Sequence, residues 1–106
     1  MELFTEEVIR VIKSIPKGKV LTYKIVASLA GNHLASRQVA RILHSCSKKY
    51  KLPWHRVINS QGYISLPVGG GFEEQFILLN KEGVFISPAG RVDLKKYLWC
   101  IKNEGE

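Results

Sequence analysis

Thr22-Tyr23-Lys24-Ile25-Val26-Ala27-Ser28-Leu29-Ala30-Gly31-Asn32-His33-Leu34-Ala35-Ser36-Arg37-Gln38-Val39-Ala40-Arg41-Ile42-Leu43-His44-Ser45 reads as two short helices joined by a glycine-containing turn. Thr22 can cap the first, Tyr23 to Ala30, and Gly31 closes it. Asn32-His33-Leu34 links it to a second helix running from Ser36 to Ser45. On that helix Val39, Ile42 and Leu43 turn inward, while Arg37, Arg41 and His44 lie on another face. Such a pair predicts a helix-turn-helix.

The flanks extend this reading. Toward the N-terminus, Phe4, Val8, Val11, Ile12 and Ile15 follow helical spacing, with Thr5 expected as the cap and Glu6 and Glu7 favourable in the first turn. Pro16 and Gly18 end that helix. Toward the C-terminus, Ser47-Lys48-Lys49-Tyr50-Lys51 is expected as a basic loop and Gln61-Gly62 as a turn. Tyr63-Ile64-Ser65-Leu66 is a short strand candidate for a small wing, and Val68-Gly69-Gly70-Gly71 has the composition of a mobile loop. Phe72, Phe76, Leu78 and Leu79 predict another helix, stopped near Gly83. The expected fold is mainly α with a small β wing, a winged helix-turn-helix, in one domain over residues 1–99 with 100–106 frayed.

A chain of 106 residues suits one domain with a modest core. Its apolar runs are too short for a membrane span or a signal peptide, so no membrane partner and a cytoplasmic location are expected. Cys46 and Cys100 form no disulfide framework and lack the spacing of a metal site, so reduced thiols, no metal and no cofactor are expected. The distribution of the +7 net charge is more telling. No Asp or Glu occurs between Glu7 and Glu73, while that stretch holds Arg10, Lys13, Lys17, Lys19, Lys24, Arg37, Arg41, Lys48, Lys49, Lys51 and Arg56. Scattered positive charge is an ordinary solubilising surface. An acid-free stretch of this length implies a face for a polyanion, where counterion release from phosphates drives binding and salt weakens it.

Pro53-Trp54-His55-Arg56-Val57 carries more specific information. It resembles the active-site motif of the O6-alkylguanine-DNA alkyltransferases, in which the second position is the alkyl-accepting cysteine. Ile15-Pro16-Lys17-Gly18-Lys19-Val20-Leu21-Thr22-Tyr23-Lys24 is similar to that family's Ile-Pro-x-Gly-x-Val-x-Thr-Tyr-Gly segment, and Ser36-Arg37-Gln38-Val39-Ala40 to its Ala-Arg-x-Val-Gly. Arg37 precedes Trp54 by seventeen residues, the family's own spacing. Val57-Ile58-Asn59-Ser60-Gln61-Gly62 and Glu82-Gly83-Val84 keep the same register, so the resemblance spans roughly residues 4–84. Trp54 in place of the cysteine makes the chain look like an alkyltransferase-like protein, because an indole offers one N–H donor and no thiolate. The tail from Val84 to Trp99 resembles the C-terminal extension of such proteins. The separate N-terminal domain of the larger enzymes is not expected.

The resemblance assigns roles. Arg37 would fill the gap left when the damaged nucleotide rotates out, an extrusion costing a few kcal/mol of stacking and pairing. On an arbitrary helix such an arginine is usually a phosphate contact or a solvated residue. Tyr23 would press on the phosphate beside the target, although a tyrosine there is often a packing residue. Ala35, Ser36, Arg37, Gln38, Ala40 and Arg41 would form the rest of the DNA-binding surface. A generic helix-turn-helix reads the major groove, whereas the resemblance implies the minor groove. Trp54, His55, Val57, Tyr23 and the loop Pro67, Val68, Gly69, Gly70 would line the lesion pocket, unless Trp54 merely fills a dead site as core. Without a thiol to deprotonate, His55, Arg56 and Glu82 would support the motif, and no residue is expected to be catalytic.

Two departures bear on lesion preference. Cys46 stands where the enzymes have a hinge asparagine, and near Pro67 the residue that contacts the O6 substituent is changed. The implied function is non-enzymatic recognition of O6-alkylguanine in double-stranded DNA by nucleotide flipping. A monomer is expected, and nucleotide excision repair proteins as partners follow by resemblance alone. Two other readings stay open: a winged-helix transcriptional regulator, and a residual alkyltransferase using Cys46.

Overall fold

The computed structural model describes residues 2–100. Its elements are α1 (Leu3–Ser14), β1 (Leu21–Thr22), α2 (Tyr23–Leu29), α3 (Ser36–Tyr50), β2 (Val57–Ile58), α4 (Phe72–Lys81) and α5 (Leu94–Tyr97), with one 3₁₀ turn at Trp54–Arg56. No helix among the described residues is long and apolar enough to cross a membrane.

Val8, Ile9, Val11 and Ile12 recur at helical spacing and bury one face of α1. Pro16 disfavours helical backbone at the residue before it, so Ile15 is extended (φ −65°, ψ 120°) and the helix stops. Thr5, expected as the cap, lies inside α1; the helix begins earlier, after Glu2, with no side-chain cap. Thr22 does cap α2, its Oγ1 accepting from the Ile25 N–H at 3.1 Å.

Helix α3 differs most from expectation. Residues 47–51, expected as a loop, continue it to Tyr50. Nothing between Ser45 and Tyr50 breaks a helix, and the chain turns only when Lys51 enters the left-handed region (φ 53°), two residues before Pro53.

The only sheet among the described residues is a parallel pair, Leu21 against Val57 and Thr22 against Ile58, with α2 and α3 as the crossover. This ladder joins two apolar clusters. Leu21 and Val57 belong to the cluster of α1, α2 and α3, with Val8, Ile12, Val26 and Val39 at its centre. Ile58 belongs to the second, with Ile64, Leu79, Val84, Val92 and Tyr97. Residues 63–66 make no strand; Tyr63 forms one antiparallel bridge with Arg91, and Ile86 another with Val92. Val57-Ile58 has the β-branched character of a buried strand but is too short to stand out in the sequence. Of the stretch expected to fray, Cys100 is exposed and residues 101–106 lie outside the described residues.

Candidate functional site

Three features converge where α3 meets the turn that follows it. The first is the outer face of α3. Arg37, Ala40, Arg41 and His44 follow i, i+3, i+4, i+7 spacing and are all exposed, a basic ridge on a helix whose opposite face is in the core. Ser36 and Gln38 flank it and are half-buried. Ala35, expected on this surface, is 9% exposed and packs in the helical core, because it precedes the first turn on the inward side.

The second feature is a cavity of about 450 Å³ lined by Tyr23, Ala40, Leu43, His44, Ser47, Trp54, Ser65, Leu66 and Gly70. Ala40, Leu43, His44 and Ser47 share one stripe of α3 and make one wall. Tyr23, at the first position of α2, faces them, and its hydroxyl shares a 3.3 Å hydrogen bond with Ser65 Oγ. Trp54 contributes a half-buried indole that also rests on the helical core. Chemically this is an apolar slot with an aromatic surface and a hydroxyl edge, suited to a planar heteroaromatic ring.

The third feature holds Trp54 in place. Glu82, at the end of α4, receives Arg56 Nε at 3.0 Å on Oε1 and Arg56 Nη2 at 2.7 Å on Oε2. His55 Nε2 lies 2.7 Å from Oε2, and the Gly18 N–H donates to Oε1 at 3.1 Å. Arg56 Nη1 donates to the Ile15 carbonyl at 2.8 Å, so Arg56 and Glu82 together tie the 3₁₀ turn to the ends of α1 and α4. Burial alone would raise this carboxyl. The hydrogen bonds from Arg56, His55 and Gly18 outweigh that and hold it at about 2. Gly18 sits at φ 85°, and a Cβ there would lie 3.3 Å from the Glu82 carbonyl oxygen, so this close approach calls for glycine. From the other side, Gln75 Nε2 donates to the carbonyls of His55 and Val57, both at 3.0 Å.

The sequence-derived pocket set is divided by the fold. Tyr23, Trp54 and Gly70 lie on the cavity wall. His55 is buried and turned to Glu82, its ring edge-on to Trp54 (87°, centroids 6.2 Å apart), and Val57 is wholly buried in the core. Pro67, Val68 and Gly69 are exposed beside the cavity. Their loop is tied, not loose: Gly70 N–H donates to the Pro67 carbonyl at 2.8 Å and Gly69 N–H to Glu73 Oε1 at 3.0 Å, a bond that lowers the Glu73 carboxyl below its usual range. Arg56 and Glu82 meet as described. Cys46 is half-buried against the helical core, and no cysteine lies on the cavity wall among the described residues. No cluster of metal ligands occurs among them either.

Sequence reasoning missed Leu43, His44, Ser47, Ser65 and Leu66 on the wall, and Gln75 behind it. Leu43 and His44 follow Ala40 on one stripe of the expected helix, and its continuation to Tyr50 adds Ser47 to that stripe. Gln75 interrupts the apolar stripe Phe72, Phe76, Leu79, which is the signal for a buried polar tether.

Residues 3–84 match the family described as 6-O-methylguanine DNA methyltransferase, DNA binding domain. The DNA base-flipping protein of Escherichia coli is 43% identical over 96 residues, covering 91% of this chain and 74% of that protein. Alkyltransferase-like protein 1 of Schizosaccharomyces pombe is 35% identical over 104 residues, covering 93% and 96%. The crystal structure of S. pombe Atl1 in complex with damaged DNA containing O6-carboxymethylguanine superposes with a TM-score of 0.83 at 33% identity, over 95% of this chain and 98% of that one.

Proposed function

The chain belongs to the 6-O-methylguanine DNA methyltransferase DNA-binding-domain family, and from that premise we propose that it recognises O6-alkylguanine in double-stranded DNA without repairing it. In this reading the basic ridge of α3 enters the minor groove, the damaged nucleotide turns out into the cavity, and Arg37 occupies the gap in the stack. Tyr23, at the cavity edge, bears on the neighbouring phosphate. The base stacks against Trp54.

One observation carries the non-enzymatic half of the proposal. The cavity wall offers an indole at position 54 and no thiol among the described residues, so there is no sulfur to accept the alkyl group. His55, spent on Glu82 and facing away from the cavity, positions the turn. Bound material would then mark the lesion for nucleotide excision repair proteins. The binding step supports that handover by exposing the damaged site. A monomer acting in the cytoplasm on nucleoid DNA completes the reading.

The test is competition binding at fixed salt with matched duplexes containing guanine or O6-methylguanine. Wild type should prefer the lesion by tenfold or more, and Arg37→Ala should lose most of that preference while retaining weak general affinity. A protein that prefers one undamaged sequence and ignores the lesion would instead be a winged-helix regulator.

A further inference from the structure

Among the residues on the cavity wall, His44 is the one that can carry positive charge, and neither the sequence motif nor the family match assigns it a task. The other polar groups there are largely engaged. Tyr23 and Ser65 bond each other, and the Ser47 hydroxyl donates to the Leu43 carbonyl. The His44 ring is exposed and has no hydrogen-bond partner among the described residues. Its neighbours along α3, Leu43 and Ser47, lie on the same wall as Trp54.

We propose that His44 is a specificity-determining residue that donates a hydrogen bond to oxygen-bearing O6 substituents. This rests on the reading that the cavity takes an extruded O6-alkylguanine. If residue 54 occupies the place of the alkyl acceptor, the first carbon of the substituent must point at the indole. Whatever extends beyond that carbon meets the adjoining wall, where Leu43 supplies apolar contact and His44 supplies the donor. A bare methyl group has no atom beyond that first carbon and no acceptor to offer. A propyl group gains only apolar contact, whereas a carboxymethyl group presents an anionic acceptor, for which a charge-assisted hydrogen bond is the stronger kind. Arg41 and Arg37 lie one and two turns before His44 on the same exposed ridge of α3, and their positive charge favours an anionic adduct further.

The experiment measures affinity for matched duplexes containing guanine, O6-methylguanine, O6-propylguanine and O6-carboxymethylguanine, for wild type, His44→Leu and His44→Gln. Wild type should favour carboxymethyl over propyl by about tenfold, a difference within the range of one charge-assisted hydrogen bond. His44→Leu should bring that ratio to within twofold, each affinity being read relative to the same variant's affinity for the guanine duplex. His44→Gln keeps a donor and should restore part of the ratio. An unchanged ratio in His44→Leu, or no recovery in His44→Gln, overturns the assignment. Equal weakening on all four duplexes also overturns it, because the ring would then be a phosphate contact. If wild type fails to separate O6-methylguanine from guanine, the underlying lesion reading fails instead.

Discussion

Replacing Glu82 with glutamine removes one negative charge and leaves the volume almost unchanged, so its effect isolates the carboxylate. The charged form is favoured in the folded protein: the carboxyl sits at about 2 against an ordinary 4.5. At about 1.4 kcal/mol per tenfold change in proton affinity, that displacement is worth roughly 3 kcal/mol. The scale is that of a broken buried ion pair, where removing one partner costs about 3–5 kcal/mol. Both side chains are half-buried, with Arg56 15% and Glu82 9% exposed, so the lower end of that range applies. Because the folded value is depressed, this stability is fully present above about pH 4.5 and is lost as the pH falls toward 2. Urea denaturation of wild type and Glu82→Gln should therefore differ by about 3 kcal/mol at pH 7, and the gap should close between pH 4.5 and 2. A gap below 1 kcal/mol at pH 7, or one independent of pH across that window, would refute the role given to Glu82.

Two further substitutions probe the support behind Trp54 and the ridge of α3. Gln75→Leu removes the donor to the carbonyls of His55 and Val57 inside the core and should cost about 2 kcal/mol or more in urea denaturation. It should weaken lesion binding further than unfolding explains, because the Trp54 turn loses a support. Arg41→Ala should lower affinity for damaged and undamaged duplex alike and reduce the slope of log affinity against log salt by about 1. A loss confined to the damaged duplex would move Arg41 from backbone contact to lesion contact.

The helix pair was readable because its signals are local. Thr22 is a cap, Gly31 a terminator, and Val39, Ile42 and Leu43 a buried stripe. The Tyr23, Trp54 and Gly70 side of the cavity followed from motif register. What escaped depends on tertiary contact. The two-residue strands pair across the α2–α3 crossover, which no window of sequence can display. Residues 63–66 alternate like a strand, yet only Tyr63 finds a bridging partner. Lysines at 48, 49 and 51 suggested a loop, but lysine is a good helix former and the last turn tolerates positive charge. That boundary error hid Ser47, while Leu43 and His44 escaped because which stripe of α3 faces Trp54 is set by tertiary packing.

Intact-mass spectrometry after incubation with DNA containing O6-methylguanine, paired with analysis of the recovered bases, bears most directly on a binding pocket whose wall holds an indole and no sulfur. The protein mass should be unchanged, and O6-methylguanine should be recovered in full from a duplex the protein bound. A methyl adduct on the protein, with guanine restored in the DNA, would contradict non-enzymatic recognition.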